Sequence, residues 1–123
     1  MAAPNVVNVT TITGKTVTKV LTTNAQSIVS NAASSGKVFK VNSLYVSNID
    51  GASAQEVTIN YYPEDDAGGT GVALAKTISV PADATVVIID KNSSIYLEED
   101  RSIGGLAGGN SDLEVVCSYE EIS

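Results

Sequence analysis

Short runs rich in Val, Ile, Thr and Leu, each cut off by Gly, Pro, Asn or Asp, are the feature that most limits how this chain can fold. Val6–Thr13 stops at Gly14, and Thr16–Thr22 follows it. Lys37–Asn48 is long and ends at Ile49-Asp50-Gly51. Glu56–Tyr62 alternates, with Val57, Ile59 and Tyr61 on one face, and ends at Pro63. Val72–Val80 alternates apart from Lys76, and Pro81-Ala82-Asp83 breaks it. Thr85–Asp90 is continuously apolar, as a strand covered on both faces is. Ser94–Leu97 is short, and Ser102–Ala107 is laced with glycine. Leu113–Tyr119 sets Leu113, Val115, Cys117 and Tyr119 against Glu114, Val116 and Ser118. The best helical stretch, Asn24–Ala33, has a cap in Asn24 but few charges; it reads as a strand at Ser27–Ser30 and then a turn, with one helical turn as the alternative. Roughly eight to ten strands with turns about every ten residues predict an all-β, antiparallel β-sandwich or jelly roll in a single domain spanning 1–123. Links this short cannot carry parallel crossovers.

Two places within this pattern carry more information. In Lys37–Asn48 the apolar positions change parity, Phe39 and Val41 being odd and Leu44 and Val46 even. A strand with one buried face cannot do this without an extra residue, so a bulge or bend is expected near Asn42-Ser43, where a long strand can pass from one sheet to the other. Residues 1–22 differ from the rest. Val6–Thr22 has no acidic residue and carries Lys15 and Lys19. It is expected to form either a first hairpin, turning at Thr13-Gly14-Lys15, or an N-terminal arm that pairs with a neighbouring subunit.

Composition limits both core and partners. Aromatics are 5% of residues, with no Trp and one Phe, so the core has to be built from Val, Ile, Leu and Ala. Seven basic residues stand against fourteen acidic, a net charge of −7. Phosphate recognition needs a basic face, so the balance argues against nucleic acid and against anionic membranes as partners. It also keeps a subunit soluble before assembly. Met1–Asn5 lacks the basic and apolar regions of a signal peptide, and no run approaches a membrane span, so folding in a cytosol is expected. Asn8-Val9-Thr10 and Asn92-Ser93-Ser94 match the glycosylation sequon, which carries little meaning without secretion. Cys117 is the only cysteine. It lies on the apolar side of an alternating run and is expected to be a buried, inert thiol.

The chain lacks several of the residue types and motifs that catalysis and metal binding use. The chain has no histidine, which removes Ser-His-Asp and Cys-His pairs and histidine metal sites. There is no phosphate loop. The glycine-rich Ile103–Asn110 lacks the lysine and the strand–helix setting of a nucleotide fingerprint and reads as flexible turn chemistry. Two acidic clusters remain, Glu64-Asp65-Asp66 and Glu98-Glu99-Asp100. Brought together by folding they suit Ca²⁺ or a glycosidase carboxylate pair. Neither has calcium-loop spacing, and a sugar cleft lacks aromatics, so solvated loop charge is the favoured reading. Of the tyrosines, Tyr61 and Tyr119 fall on apolar faces, and Tyr62 is the better candidate for the surface. No catalytic, cofactor-binding or metal residue is assigned, and no enzyme activity is expected.

Several stretches together resemble a known group. Met1–Gly14, Ser35–Asn48, Ile78–Ile89, Ser94–Ile103 and Asp112–Ser123 are similar to small virion structural proteins of tailed phages that infect marine cyanobacteria. The steps Tyr45-Val46-Ser47-Asn48, Val80-Pro81-Ala82-Asp83 and Ser118-Tyr119-Glu120-Glu121 are the most specific. The group's pattern has a Gly-Asp pair where this chain has Glu99-Asp100-Arg101, so a different turn is expected before Ser102, with Arg101 pairing with a nearby carboxylate. The resemblance implies a virion protein assembled in the host cytoplasm. Its expected role is a capsid decoration (cement) protein bound to the major capsid protein or other virion proteins. It is expected to act as a homo-oligomer, with a trimer preferred by analogy. A neck, tail or baseplate component and a host-surface adhesion module are the alternatives.

Overall fold

A computed structural model describes residues 7–123. Its strands are β1 (Ile12–Val20), β2 (Gln26–Asn31), β3 (Val38–Asn48), β4 (Gln55–Tyr62), β5 (Val72–Val80), β6 (Thr85–Ile89), β7 (Ile95–Leu97), β8 (Arg101–Ala107) and β9 (Leu113–Ile122). A single 3-10 turn, Lys91–Ser93, joins β6 to β7 and is capped by Asp90, whose carboxylate accepts from Asn92 N. Two antiparallel sheets form: β1-β9-β3-β6, with β7 also on β3, and β2-β8-β4-β5.

The pairing is nested. β4 pairs with β5, β3 with β6, β2 with β8 and β1 with β9. The chain is thus one long antiparallel hairpin, turned at residues 63–71 and rolled so that successive pairs alternate between the sheets. That is the jelly-roll arrangement. Its core is aliphatic: Leu21, Val41, Leu44, Val46, Val57, Ile59, Leu97, Ile103, Leu113 and Val115 are all fully buried. Phe39 and Tyr119 add one tilted ring pair, 5.1 Å between centroids.

The parity change in β3 is a bulge. The β3–β9 register slips between Val41 and Ser43, which lets Phe39, Val41, Leu44 and Val46 all point inward. The strand does not change sheets there. It changes partner, from β7 before the bulge to β6 after it. Leu113, Val115, Cys117 and Tyr119 share the buried face, as their alternation requires.

Other expectations need correcting. The hairpin at Thr13-Gly14-Lys15 does not form, because Ile12–Val20 is one unbroken strand in register with β9 along its whole length. Gly14 can lie flat in such a strand, and Thr and Val favour it. The part of the proposed arm before Val7 lies outside the described residues. β6 is not covered on both faces: it borders its sheet, and Val87 is 58% exposed. An apolar run cannot by itself distinguish a central strand from one whose outer face is left open.

Ile103–Asn110 is not all turn. Gly104 and Gly105 are buried within β8, a central strand. A Cβ on Gly104 would stand 2.5 Å from Gln26 O, and one on Gly105 would stand 2.8 Å from Thr58 O. Gly104 allows β2, which bulges between Ser27 and Val29, to press close against β8, and Gly105 does the same for β4.

Candidate interaction surfaces

Nested pairing sends the loops to the two ends of the sandwich. At one end gather the β2–β3, β4–β5 and β7–β8 links, which carry both acidic clusters. The clusters do meet, but their carboxylates face backbone amides. Asp100 Oδ1 accepts from Asp65 N at 3.1 Å, Asp65 Oδ2 from Ala33 N at 3.3 Å, and Glu99 Oε2 from Gly36 N at 3.0 Å. Asp66 Oδ1 accepts from Ser27 Oγ, and Asp66 N donates to Ser30 Oγ. Buried Ser102 closes the set, donating to Glu64 O and accepting from Ala67 N, both at 2.8 Å. Asp66, Ala67 and Asp100 hold positive φ of 52°, 58° and 61° in the turns these bonds pin. Arg101 does not pair with a carboxylate; Nη1 donates to the carbonyl oxygens of Pro63 and Asp100. Among the described residues no three His, Cys, Asp or Glu side chains converge closely enough to hold a metal ion.

Sequence reasoning missed Asn31 and Asn48, both buried. Asn31 Nδ2 donates to Lys37 O and Leu97 O, and its Oδ1 accepts from Ser35 Oγ. At the opposite end Asn48 repeats the pattern, donating to Ser53 O and Val80 O and accepting from Asp50 N. Each is the last residue of its strand and lies just before a Ser- or Gly-containing turn. That placement was the available signal, since side-chain amides readily hold turns.

Tyr62 was expected at the surface. It does point to the outer face of its sheet, with Asn60, yet it is only 6% exposed. Its ring lies over Gly104 and against Gly71, positions without side chains to hold it away. Cys117 is fully buried, and burial pushes its thiol pKa up to about 12. Glu121 anchors the only ion pairs among the described residues, to Lys15 and Lys37 at 3.1 Å each. Burial alone would raise its carboxyl pKa; the two lysine hydrogen bonds and charges outweigh that and hold it below the usual range.

Apart from Val7 and Ile49, which lie outside the strands, the exposed large apolar side chains of the described residues lie on the outer faces and edges of the sheets. Tyr45 stands between Val116 and Val87 across the outer face of the β1-β9-β3-β6 sheet. Beside them a shallow recess of about 620 Å³ is bordered by Lys40, Lys91, Asp90 and Glu120. The edge strand β5 exposes Val72, Leu74 and Ile78.

No family model matches this sequence, and no curated protein is similar to it. Two solved structures share the fold over nearly the whole chain. One comes from the disulfide-linked pili that form Bacillus endospore appendages: 17% identity, TM-score 0.52, covering 92% of this chain and 87% of that one. The other comes from the acid-stable capsid of the Helicobacter pylori bacteriophage KHP30: 7% identity, TM-score 0.52, covering 94% and 90%. Neither comes from a phage of cyanobacteria. At these identities the likeness establishes a common fold.

Proposed function

We propose that this chain is a non-enzymatic structural subunit of a phage particle, a decoration protein on the assembled head. The observation that carries this reading is the use made of its polar side chains. Asp65, Asp66, Glu99 and Asp100 of the acidic clusters, with Ser102, Asn31 and Asn48, are engaged in holding loops to the sandwich. What is left for function is surface. The jelly roll in common with a phage-capsid chain supports a coat role, as does the resemblance of its framework steps to virion proteins of cyanobacterial phages. A subunit that binds only the assembled lattice stabilises that lattice by mass action. The acidic balance leaves basic patches on the major capsid protein as fitting contacts.

Quantitative mass spectrometry of purified particles tests this. Copies in the hundreds support a decoration role. A handful, the number in one symmetric ring, would move the protein to the neck or tail. Absence from the particle would end the proposal. Alanine replacement of Glu64, Asp65, Glu98 and Glu99 is expected to leave any turnover assay of the particle unchanged.

The likeness to a pilus chain favours a second reading, a filament subunit. Covalent linkage through disulfides is not open to this chain in its folded state, because its one cysteine is buried between the sheets. A filament built from it would have to hold by strand pairing or packing alone.

A further inference from the structure

The jelly roll leaves four sheet borders, and three are blunted. β2 carries a bulge between Ser27 and Val29. β6 and β7 are five and three residues long. β5 slips register twice against β4 and holds Thr77 at a positive φ of 46°. Bulges, shortness and lysines are the usual means of keeping an edge from pairing with another chain, and of these β1 carries only Lys15 and Lys19. It runs nine residues in unbroken register with β9, without proline.

The backbone groups of β1 left without a partner among the described residues follow from its register. Thr11 and Ser123 exchange N–H···O bonds in both directions, and Leu21 N donates to Leu113 O. Odd-numbered residues of β1 therefore turn their backbone toward β9, and Ile12, Gly14, Thr16, Thr18 and Val20 turn theirs outward. Any strand added to this edge has to bond to those five.

The sequence of β1 is complementary to its own reverse. We propose that two copies join β1 to β1 antiparallel about a two-fold axis at Thr16, making one sheet continuous through both chains. In that register Thr16 faces Thr16 of the second copy, and Gly14 faces Thr18. Ile12, 57% exposed, faces Val20, 47% exposed, at both ends. Lys15 faces Val17, and Lys19 faces Thr13. No like charges oppose, and each outward backbone group meets a partner. A slip of one residue sets outward-facing residues against inward-facing ones and cannot bond. A slip of two residues sets Lys15 against Lys15 in one direction and Lys15 against Lys19 in the other, which is repulsive. The lysines thus exclude the neighbouring registers while permitting this one. Glu121 already neutralises Lys15 within each chain.

This inference does not rest on a role in a coat. It sets a two-fold pair in place of the trimer expected by analogy, because antiparallel pairing of one strand with itself is isologous.

Sedimentation equilibrium of the isolated protein tests it. The expected result is a reversible dimer, twice the chain mass of 12.6 kDa. Thr16→Pro removes an outward N–H that makes no bond to β9, so it is expected to give a monomer with an unchanged circular-dichroism spectrum. Thr13→Lys places two like-charge pairs in the dimer and should weaken it about ten-fold. Adding Lys19→Glu to Thr13→Lys converts both to attractive pairs and should restore wild-type association, which keeps the test decisive if the proline variant fails to fold. A wild type that is monomeric at its solubility limit, a trimer, or a dimer indifferent to both the proline and the charge swap would overturn the proposal.

Discussion

The side-chain amide of Asn31 donates to the carbonyl oxygen of Leu97 at 3.0 Å, tying the end of β2 in one sheet to the end of β7 in the other. Asn48 does the same at the far end, from β3 to Val80 O of β5 at 3.0 Å. The two sheets are therefore cross-linked at both ends by buried amides, with the aliphatic core between.

Asn31→Ala leaves the buried carbonyl oxygen of Leu97 and the part-buried one of Lys37 without their donor and is expected to destabilise the fold by about 2–3 kcal/mol. Asn48→Ala should cost a similar amount. Because the sites lie at opposite ends, the double variant should be additive to within about 0.5 kcal/mol. Urea unfolding, with unchanged m values, measures all three.

Two glycines, one in each sheet, should respond in opposite directions. Gly104→Ala drives a Cβ against Gln26 O and should cost about 2–3 kcal/mol. Gly14 has nothing within 4 Å of its would-be Cβ. Gly14→Ala should stabilise by about 0.5 kcal/mol through the unfolded state. Thermal midpoints separate the two.

Cys117 gives a pH dependence with a definite sign. Its pKa rises from 9.0 to about 12 on folding, so between those values the unfolded chain releases the proton first. Stability from this group is whole below pH 9 and falls as pH rises, by up to about 1.4 kcal/mol per pH unit. Cys117→Ala should unfold more easily at neutral pH yet show a shallower alkaline decline. In the native wild type a thiol reagent should react only at the rate of unfolding.

Glu121 gives the acid counterpart. Its pKa is lowered on folding, so its contribution is present above the unfolded carboxylate value and lost as pH falls through the folded one. Glu121→Gln should flatten the acid limb of the stability curve, and, because Glu121 also raises the Lys15 pKa and adds to the burial that raises that of Tyr119, it should soften the alkaline decline as well.

Much of this architecture was legible in the residues. The bulge at Asn42 was readable because core parity in β3 has to be repaired somewhere. Leu113–Tyr119 was readable because one face carries every apolar side chain but Val116. Tyr62 was misassigned because alternation gives a side chain's direction and not what covers it. The coverage comes from Gly71, at the far end of the following link, and Gly104, on another strand. Gly104 and Gly105 looked like turn chemistry because the pressure that demands glycine there comes from β2 at Gly104 and from β4 at Gly105, both more than forty residues away in sequence. The nesting of β1 with β9 was hidden for the same reason, since pairing across the whole chain leaves no local mark. The acidic clusters were found, but their engagement with backbone amides depends on three loops meeting at one end.

A cryo-electron microscopy map of the intact particle, at a resolution that traces strands, tests the central claim most directly. The account expects this jelly roll on the outer surface of the head, repeated across the lattice, with its loops closed and its contacts made by sheet faces and edges. A particle without it, or density placing an open cleft of converging Glu64, Asp65, Glu98 and Glu99 carboxylates around a bound substrate, would contradict it.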